Sequence, residues 1–236
     1  MASPRKTALI LGASRGLGLA LAGEYLKRGW SVIGTVRGTR RTGLHDLAER
    51  AAGRLEIERL DITDAGEVVA LRRRLAGCTL DLLFANAGIN TGVADAADDT
   101  VANATPELFT RVLLTNAFAP MRAIEALADL VSADGTIAAM SSGLGSVANN
   151  TTGCWEVYRA SKAALNTLMR SYAARSAPSK RTLLLVAPGW VRTDMGGPNA
   201  TFGIDDNIPK VVDVIEAHAG RPGLAYVDYK GDTVTW

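Results

Sequence analysis

Cysteine and histidine are nearly missing from this 236-residue chain, which has two of each. Cys78 and Cys154 stand far apart and form no CxxC, which argues against a disulfide framework and for reduced thiols in a cytoplasmic protein. His45 and His218 are isolated, so no metal site is expected. Charge of one sign is also lacking. The 26 basic and 24 acidic residues leave a formal net charge of +2, which gives no reason to expect nucleic acid or an anionic membrane as partner. The basic run Arg72-Arg73-Arg74 falls in an expected helix and reads as a solvated face. No apolar run is long enough to span a bilayer. The basic start Met1–Lys6 precedes an apolar stretch, as in a signal peptide, but Gly12, Ser14, Arg15, Gly16 and Gly18 interrupt that stretch. Pro- or Ser-rich linkers, low-complexity tracts and internal repeats are absent as well.

The chain does have ample material for one core, with 47% hydrophobic and 21% charged residues. Short apolar runs alternate with amphipathic stretches throughout. Strands are expected at residues 7–11, 31–36, 55–60, 80–85, 136–140, 182–187 and 225–228. Helices are expected at 16–28, 44–51, 65–75, from a Thr105 cap and Pro106 to about 131, through Tyr158 and Lys162 to an end before Pro178, and at 209–219. Pro120 should kink the long helix. Repeated β-α-β units with short connections imply a parallel doubly wound sheet. Residues 196–207, rich in Gly, Asn and Asp, form a candidate substrate-covering loop.

The first strand runs into Gly12-Ala13-Ser14-Arg15-Gly16-Leu17-Gly18, which opens the first helix. Glycines there let the backbone turn tightly and approach a pyrophosphate, which a helix N-terminus attracts. An acid after the second strand would bind an adenosine ribose and repel a 2′-phosphate. The chain has Arg37 there instead, with Arg15 inside the glycine loop, and two cations near the ribose favour NADP(H) over NAD(H). Asp61, followed by Ile62, ends the third strand, where its carboxylate could accept a bond from the adenine amino group or cap the next turn. Asn86-Ala87-Gly88 ends the fourth strand. The Asn can bridge neighbouring strand ends, and the small residues leave room for a cofactor.

Tyr158 and Lys162 are four residues apart in a run without Gly or Pro, so a helix puts phenol and ammonium on one face. A Tyr ionises near pH ~10, and a cation one turn away would tune it toward neutral pH as a proton donor.

Taken in order, Gly12–Gly18, Asn86-Ala87-Gly88, Asn116, Ser141-Ser142, Tyr158-xxx-Lys162 and Pro188-Gly189-Trp190-Val191-Arg192-Thr193 resemble the short-chain dehydrogenase/reductase family over nearly the whole chain. The run from Tyr158 to Asn166, the run from Pro188 to Gly197 and the ending Asp228-Tyr229-Lys230-Gly231…Trp236 are similar to its C-factor-like and sniffer-like carbonyl reductase branch. Leu11 and Ala85 depart from the usual Thr and Asn, which removes no chemical group.

The resemblance implies one NAD(P)-binding domain over residues 1–236, a Rossmann-type doubly wound parallel sheet of about seven strands in the order 3-2-1-4-5-6-7. By the same resemblance Tyr158 is the general acid in carbonyl reduction and the base in alcohol oxidation. Lys162 lowers its pKa and binds the nicotinamide ribose. Ser142, which fits the family's S-x-x-G, donates to the substrate oxygen, and Asn116 holds a water that links Lys162 to solvent. Thr193 and the backbone near Val191 fix the carboxamide, brought there by the Pro188-Gly189 turn. Leu144, Trp155 and Trp190 are candidate walls for a small-molecule carbonyl or alcohol substrate of apolar or aromatic character. A homodimer or homotetramer is expected through the long helices, to which Ala123, Ile124, Leu127 and Leu168 could contribute, although core packing explains them equally well. The leading expectation is an NADPH-dependent carbonyl reductase. An alcohol dehydrogenase working oxidatively and a dinucleotide-binding signalling protein are the other two readings.

Overall fold

A computed structural model of the protein describes residues 5–93 and 95–236, so Met1–Pro4 of the basic start lie outside the described residues. Seven strands, β1 (Thr7–Leu11), β2 (Ser31–Val36), β3 (Leu55–Arg59), β4 (Leu80–Ala85), β5 (Val131–Met140), β6 (Thr182–Ala187) and β7 (Gly223–Asp228), form one parallel sheet. Its order is β3-β2-β1-β4-β5-β6-β7, as the resemblance implied. Side chains alternate between sheet faces. Leu9, Leu11, Leu83, Ile137 and Leu185 therefore join the core beneath α3 (Ala65–Arg74), α5 (Ala119–Leu127) and α6 (Glu156–Arg175). Their neighbours Ile10, Leu82, Phe84, Ala138 and Leu184 join a second core beneath α1 (Gly16–Lys27), α2 (Gly43–Arg50) and α7 (Ile204–His218). Strands covered on both faces explain why their sequences are apolar runs rather than alternating ones. The chain reverses direction across the sheet between β1 and β4, which opens a crevice at the carboxyl ends of the strands.

Three sequence expectations change. The long helix after Pro106 is split: α4 (Pro106–Leu113) passes through a π turn at Leu114–Phe118 into α5, followed by a 3-10 turn at Ala128–Leu130. The irregularity precedes Pro120 rather than falling on it. Proline has no N–H, and its ring crowds the carbonyl four residues back, at Asn116, so the wider turn accommodates it. Strand β5 begins at Val131, five residues before the expected start, because a register shift between Leu80 and Leu82 of β4 absorbs the turn-like Ser132–Gly135. Helix α7 begins at Ile204 and carries Pro209 inside it, so the irregular stretch is shorter than 196–207. Pro209 forfeits one intrahelical bond, while Ile208, Val211, Val212 and Ile215 remain buried in the core. Of the two roles open to Ala123, Ile124 and Leu127, core packing accounts for them, because all three are fully buried.

The Arg72-Arg73-Arg74 run lies at the end of α3, where basic residues suit the helix dipole. Arg72 pairs with Asp129 and Arg74 with Glu58, so the run is only in part a solvated face.

Candidate active site

The carboxyl ends of β1, β4, β5 and β6 deliver most of the residues singled out from the sequence, while Arg37 follows β2, Asp61 and Ile62 follow β3, and Asn116, Tyr158 and Lys162 come from helical turns. The glycine loop follows β1. Gly12 has φ +85°, and a Cβ there would lie 2.9 Å from the Ala87 Cα. A Cβ on Gly18 would sit 2.1 Å from the Gly12 carbonyl oxygen, so helix α1 can start here only with glycine. Two neighbouring strands pin the loop: the Gly12 amide donates to Thr35 Oγ1 at 2.8 Å, and Asn86 Nδ2 donates to the Gly12 carbonyl at 2.8 Å. Asn86 thus bridges strand ends as expected. Ser14 and Leu17 are partly buried, with Leu17 packed on the core. Helix α1 has no side-chain cap and no acid in its first turn, which leaves its leading amides open to an anion.

The two arginines differ. Arg37 is exposed just after β2, and its charge helps hold Asp61. Burial pushes the Asp61 carboxyl up, but bonds from the Thr63 hydroxyl (2.6 Å) and amide (2.9 Å), with Arg37, outweigh it and hold the group below its ordinary value. Asp61 therefore caps its turn, and Ile62 beside it is buried. Arg15 Nη1 pairs with Asp194 Oδ2 at 2.7 Å, rather than standing free for a phosphate as the sequence suggested. Both partners are about three-quarters exposed, and such pairs are worth about 0–1 kcal/mol, so an incoming anion can take Arg15 over.

That ion pair joins the glycine loop to the segment after β6. Gly189 has φ +80°, and a Cβ there would lie 2.9 Å from the Phe202 ring. The Pro188 carbonyl accepts from Asn207 Nδ2 at 2.8 Å. Val191 is buried and bridges Phe202, and Thr193 Oγ1 accepts from the Gly196 amide at 3.0 Å. The Thr193 methyl comes within 3.8 Å of the position a Gly16 Cβ would take.

The π turn carries Asn116, which is fully buried. Its Oδ1 accepts from the Ile89 amide at 2.8 Å, and its Nδ2 donates to the Ile89 carbonyl at 2.7 Å and to Ser161 Oγ at 3.0 Å. Ser161 in turn donates to the Tyr158 carbonyl at 2.7 Å. A Cβ on Gly88 would lie 3.3 Å from Asn116 Oδ1 and 3.6 Å from Lys162 Nζ, so Gly88 keeps open the space where these groups meet.

Lys162 is 4% exposed, and its Nζ donates to the Met140 carbonyl at 2.9 Å. Burial pulls its pKa down to about 8. Nζ lies 5.7 Å from the Tyr158 ring centroid. Burial pushes the Tyr158 phenol up to about 12, while hydrogen bonding with Ser142 works against the rise. The spacing argument pointed toward neutral pH. The structure reverses that direction for the protein alone, because burial acts on both groups more strongly than their proximity does. Ser142 opens a 3-10 turn after β5, and its Oγ accepts from the Leu144 amide at 3.2 Å.

Around this centre, Leu144 is partly buried. Trp155, the residue before α6, is in the left-handed region at φ 61°. That conformation costs about 1–2 kcal/mol for a side chain of this kind. Bonds from Trp155 N to the Ala96 carbonyl and from Arg159 Nε to the Cys154 carbonyl hold the segment. Trp190 is 54% exposed with Nε1 bonded to the Gly196 carbonyl, so it is not a core residue. Sequence reasoning missed Thr35, Ser161, Asn207 and Tyr226, whose hydroxyl donates to the Ser142 carbonyl. Each looks like an ordinary strand or helix residue in the sequence.

Residues 6–201 match the family model for short chain dehydrogenases, and the chain belongs to that family of oxidoreductases. A short-chain dehydrogenase/reductase of Burkholderia multivorans with bound NADP is 53% identical, covers 99% of this chain and 100% of its own, and has a TM-score of 0.95. A carbonyl reductase of Pseudomonas aeruginosa PAO1 in complex with NADP is 37% identical over 99% of this chain and 100% of its own, with a TM-score of 0.90. The C-signal protein of Myxococcus xanthus is 36% identical over 172 residues, 67% of this chain and 95% of that protein.

Proposed function

We propose that the chain, as one cofactor-binding domain over residues 1–236, reduces an aldehyde or ketone to an alcohol with NADPH. The observation that carries this reading is the bond between Ser142 and Tyr158 with Lys162 at the phenol ring and beside Gly88, together with a glycine loop whose helix amides are open. Gly12, Ser14, Leu17 and Gly18 would hold the pyrophosphate, with Asn86, Ala87 and Gly88 forming the floor. Arg37, joined by Arg15 once it leaves Asp194, would take the 2′-phosphate. Asp61 and Ile62 would border the adenine, and Pro188, Gly189, Val191 and Thr193 the carboxamide. The cofactor supplies the hydride, and the protein orients it and handles the proton. Tyr158 keeps its proton at neutral pH and gives it to the developing alkoxide. Ser142 donates to the same oxygen, and Lys162 holds the ribose. A water on Asn116 would lead protons back. Leu144, Trp155 and the exposed Trp190 suit an apolar or aromatic carbonyl compound.

Exposed Phe109, Leu114, Phe118 and Leu168 share the outer face of α4, the π turn and α6, which supports a homodimer or homotetramer through those helices. Among the described residues no helix is long and apolar enough to cross a membrane, and we read the protein as cytoplasmic. The C-signal relative supports keeping a signalling role as a second reading.

A panel of aldehydes, ketones and quinones with NADPH and NADH tests the proposal, run on the native protein and on Tyr158→Phe. The reading expects NADPH-dependent turnover that falls at least about 100-fold in Tyr158→Phe while NADPH binding survives. Binding without turnover across the panel favours the signalling reading, and near-normal turnover in Tyr158→Phe overturns the acid role.

A further inference from the structure

Tyr226 is a buried phenol for which the reaction described above has no use. It lies on β7 and is 1% exposed, with its hydroxyl donating to the carbonyl of Ser142. A phenylalanine would fill the same space without bringing a polar group into the core, so the hydroxyl calls for its own explanation. The Ser142 carbonyl also accepts from the Gly145 amide at 2.8 Å, so both of its lone pairs are engaged. One residue earlier, the Ser141 amide donates to the Val186 carbonyl at 2.8 Å and Ser141 Oγ to Asn166 Oδ1 at 2.6 Å. Asn166 Nδ2 then reaches the Gly145 carbonyl at 3.2 Å. The backbone on both sides of Ser142 is thus tied to buried partners.

Tyr226 is itself braced from the segment after β7. That segment turns back on its strand, with Asp228 N bonded to the Asp232 carbonyl and Val234 N to the Tyr226 carbonyl, each at 2.9 Å. The turn brings the Trp236 ring to 5.4 Å from the Tyr226 ring, tilted by 57°. The Arg170 guanidinium of α6 stands 4.5 Å from the Trp236 ring. The Trp236 carbonyl accepts from the Ala148 amide at 3.0 Å, on the loop just past Ser142. A stack of Arg170, Trp236 and Tyr226 therefore ends on one peptide oxygen.

We propose that Tyr226, braced by Trp236, is a positioning residue that fixes the peptide plane of Ser142 and so aims its hydroxyl at the substrate oxygen. The proposal rests on the reading of Ser142 as a donor to that oxygen. Small errors in aim are costly for such donors.

The test is a double-mutant cycle in carbonyl reduction with NADPH. Tyr226→Phe keeps the ring and the stack on Trp236 and deletes only the hydroxyl. It should lower kcat on the order of tenfold and leave the NADPH Kd unchanged. In a Ser142→Ala background the same change should cost less than about twofold, because no hydroxyl remains to aim. The pH profile of alcohol oxidation carries two opposing changes in Tyr226→Phe, because the Ser142 bond that holds the Tyr158 phenol down is weakened and the Tyr226 hydroxyl that pushes it up is removed, so the kcat cycle is the deciding readout. Trp236→Ala should match Tyr226→Phe, and Trp236→Phe should restore most of the loss. These two variants carry the same cycle if Tyr226→Phe does not fold. Unchanged kcat in Tyr226→Phe, or equal losses with and without Ser142, overturn the proposal. If Tyr158→Phe is inactive while Tyr226→Phe is unaffected, the positioning role alone falls. Turnover retained in Tyr158→Phe would remove the functional reading beneath it.

Discussion

Replacing Lys162 with methionine should raise the stability of the cofactor-free protein at neutral pH while removing its turnover. Burial pulls the Lys162 pKa from 10.5 down to about 8. At 1.36 kcal/mol per unit, holding the charge inside costs the native state about 3 kcal/mol at pH 7. Below pH 8 both folded and unfolded chains are protonated and the whole cost is present. Between about pH 8 and 10.5 the native state releases the proton while the unfolded chain keeps it, so native stability rises with pH. By pH 10 about 2.5 kcal/mol of the cost has been relieved. Methionine has a similar reach and no charge, so it carries no such dependence. It loses the 2.9 Å bond to the Met140 carbonyl, and leaving that acceptor unpaired costs about 1–3 kcal/mol. The net expectation is a variant about 0–2 kcal/mol more stable at pH 7 that loses the advantage by pH 10. Urea unfolding of both proteins at the two pH values measures this directly. Shared titrations cancel in the difference, which should shift by about 2–3 kcal/mol toward the wild type. A difference independent of pH would refute the argument that desolvation governs this lysine.

Gly18→Ala should cost more than about 3 kcal/mol or abolish cofactor binding, because its Cβ would fall 2.1 Å from the Gly12 carbonyl oxygen; thermal melting with and without NADPH reads both. Arg37→Ala should weaken NADPH by about tenfold or more and leave NADH little changed, as titration of each cofactor would reveal. An unaltered preference would dismiss Arg37 as the phosphate-reading cation. Phe118→Glu puts a charge on a 53% exposed position of the candidate oligomer face and should shift the particle toward the monomer in light scattering, with the melting temperature nearly unchanged.

How far the sequence could be read depended on how local the cause was. Strands β1, β2, β4 and β6 match their expected spans because buried parallel strands are uninterrupted apolar runs bounded by polar residues. The glycine loop was legible because only glycine tolerates Gly12 at φ +85° and the contact at Gly18. The pairing of Arg15 was not legible because its partner, Asp194, lies 179 residues away, and no local pattern reports it. Tyr226 was invisible for the same reason: its bond to Ser142 spans 84 residues. The π turn was read as a kink at Pro120 because the proline is visible in the sequence. The turn that relieves it, and that buries Asn116, forms in the residues just before.

The Tyr158 and Lys162 pair shows which kind of inference local spacing cannot carry. Helical spacing fixes that the two side chains share a face, and they do, with Nζ 5.7 Å from the ring. It does not fix the medium between and around them. The lysine directs its ammonium at the Met140 carbonyl, and burial disfavours charge on both groups. A phenol displaced to about 12 keeps its proton at pH 7 and is a weaker acid than an ordinary tyrosine, so proton transfer in either direction needs a neighbour that brings it back down. Its hydrogen bond with Ser142 pulls the phenol's pKa back down. Whatever fixes Ser142 therefore also sets how nearly Tyr158 can serve in both directions.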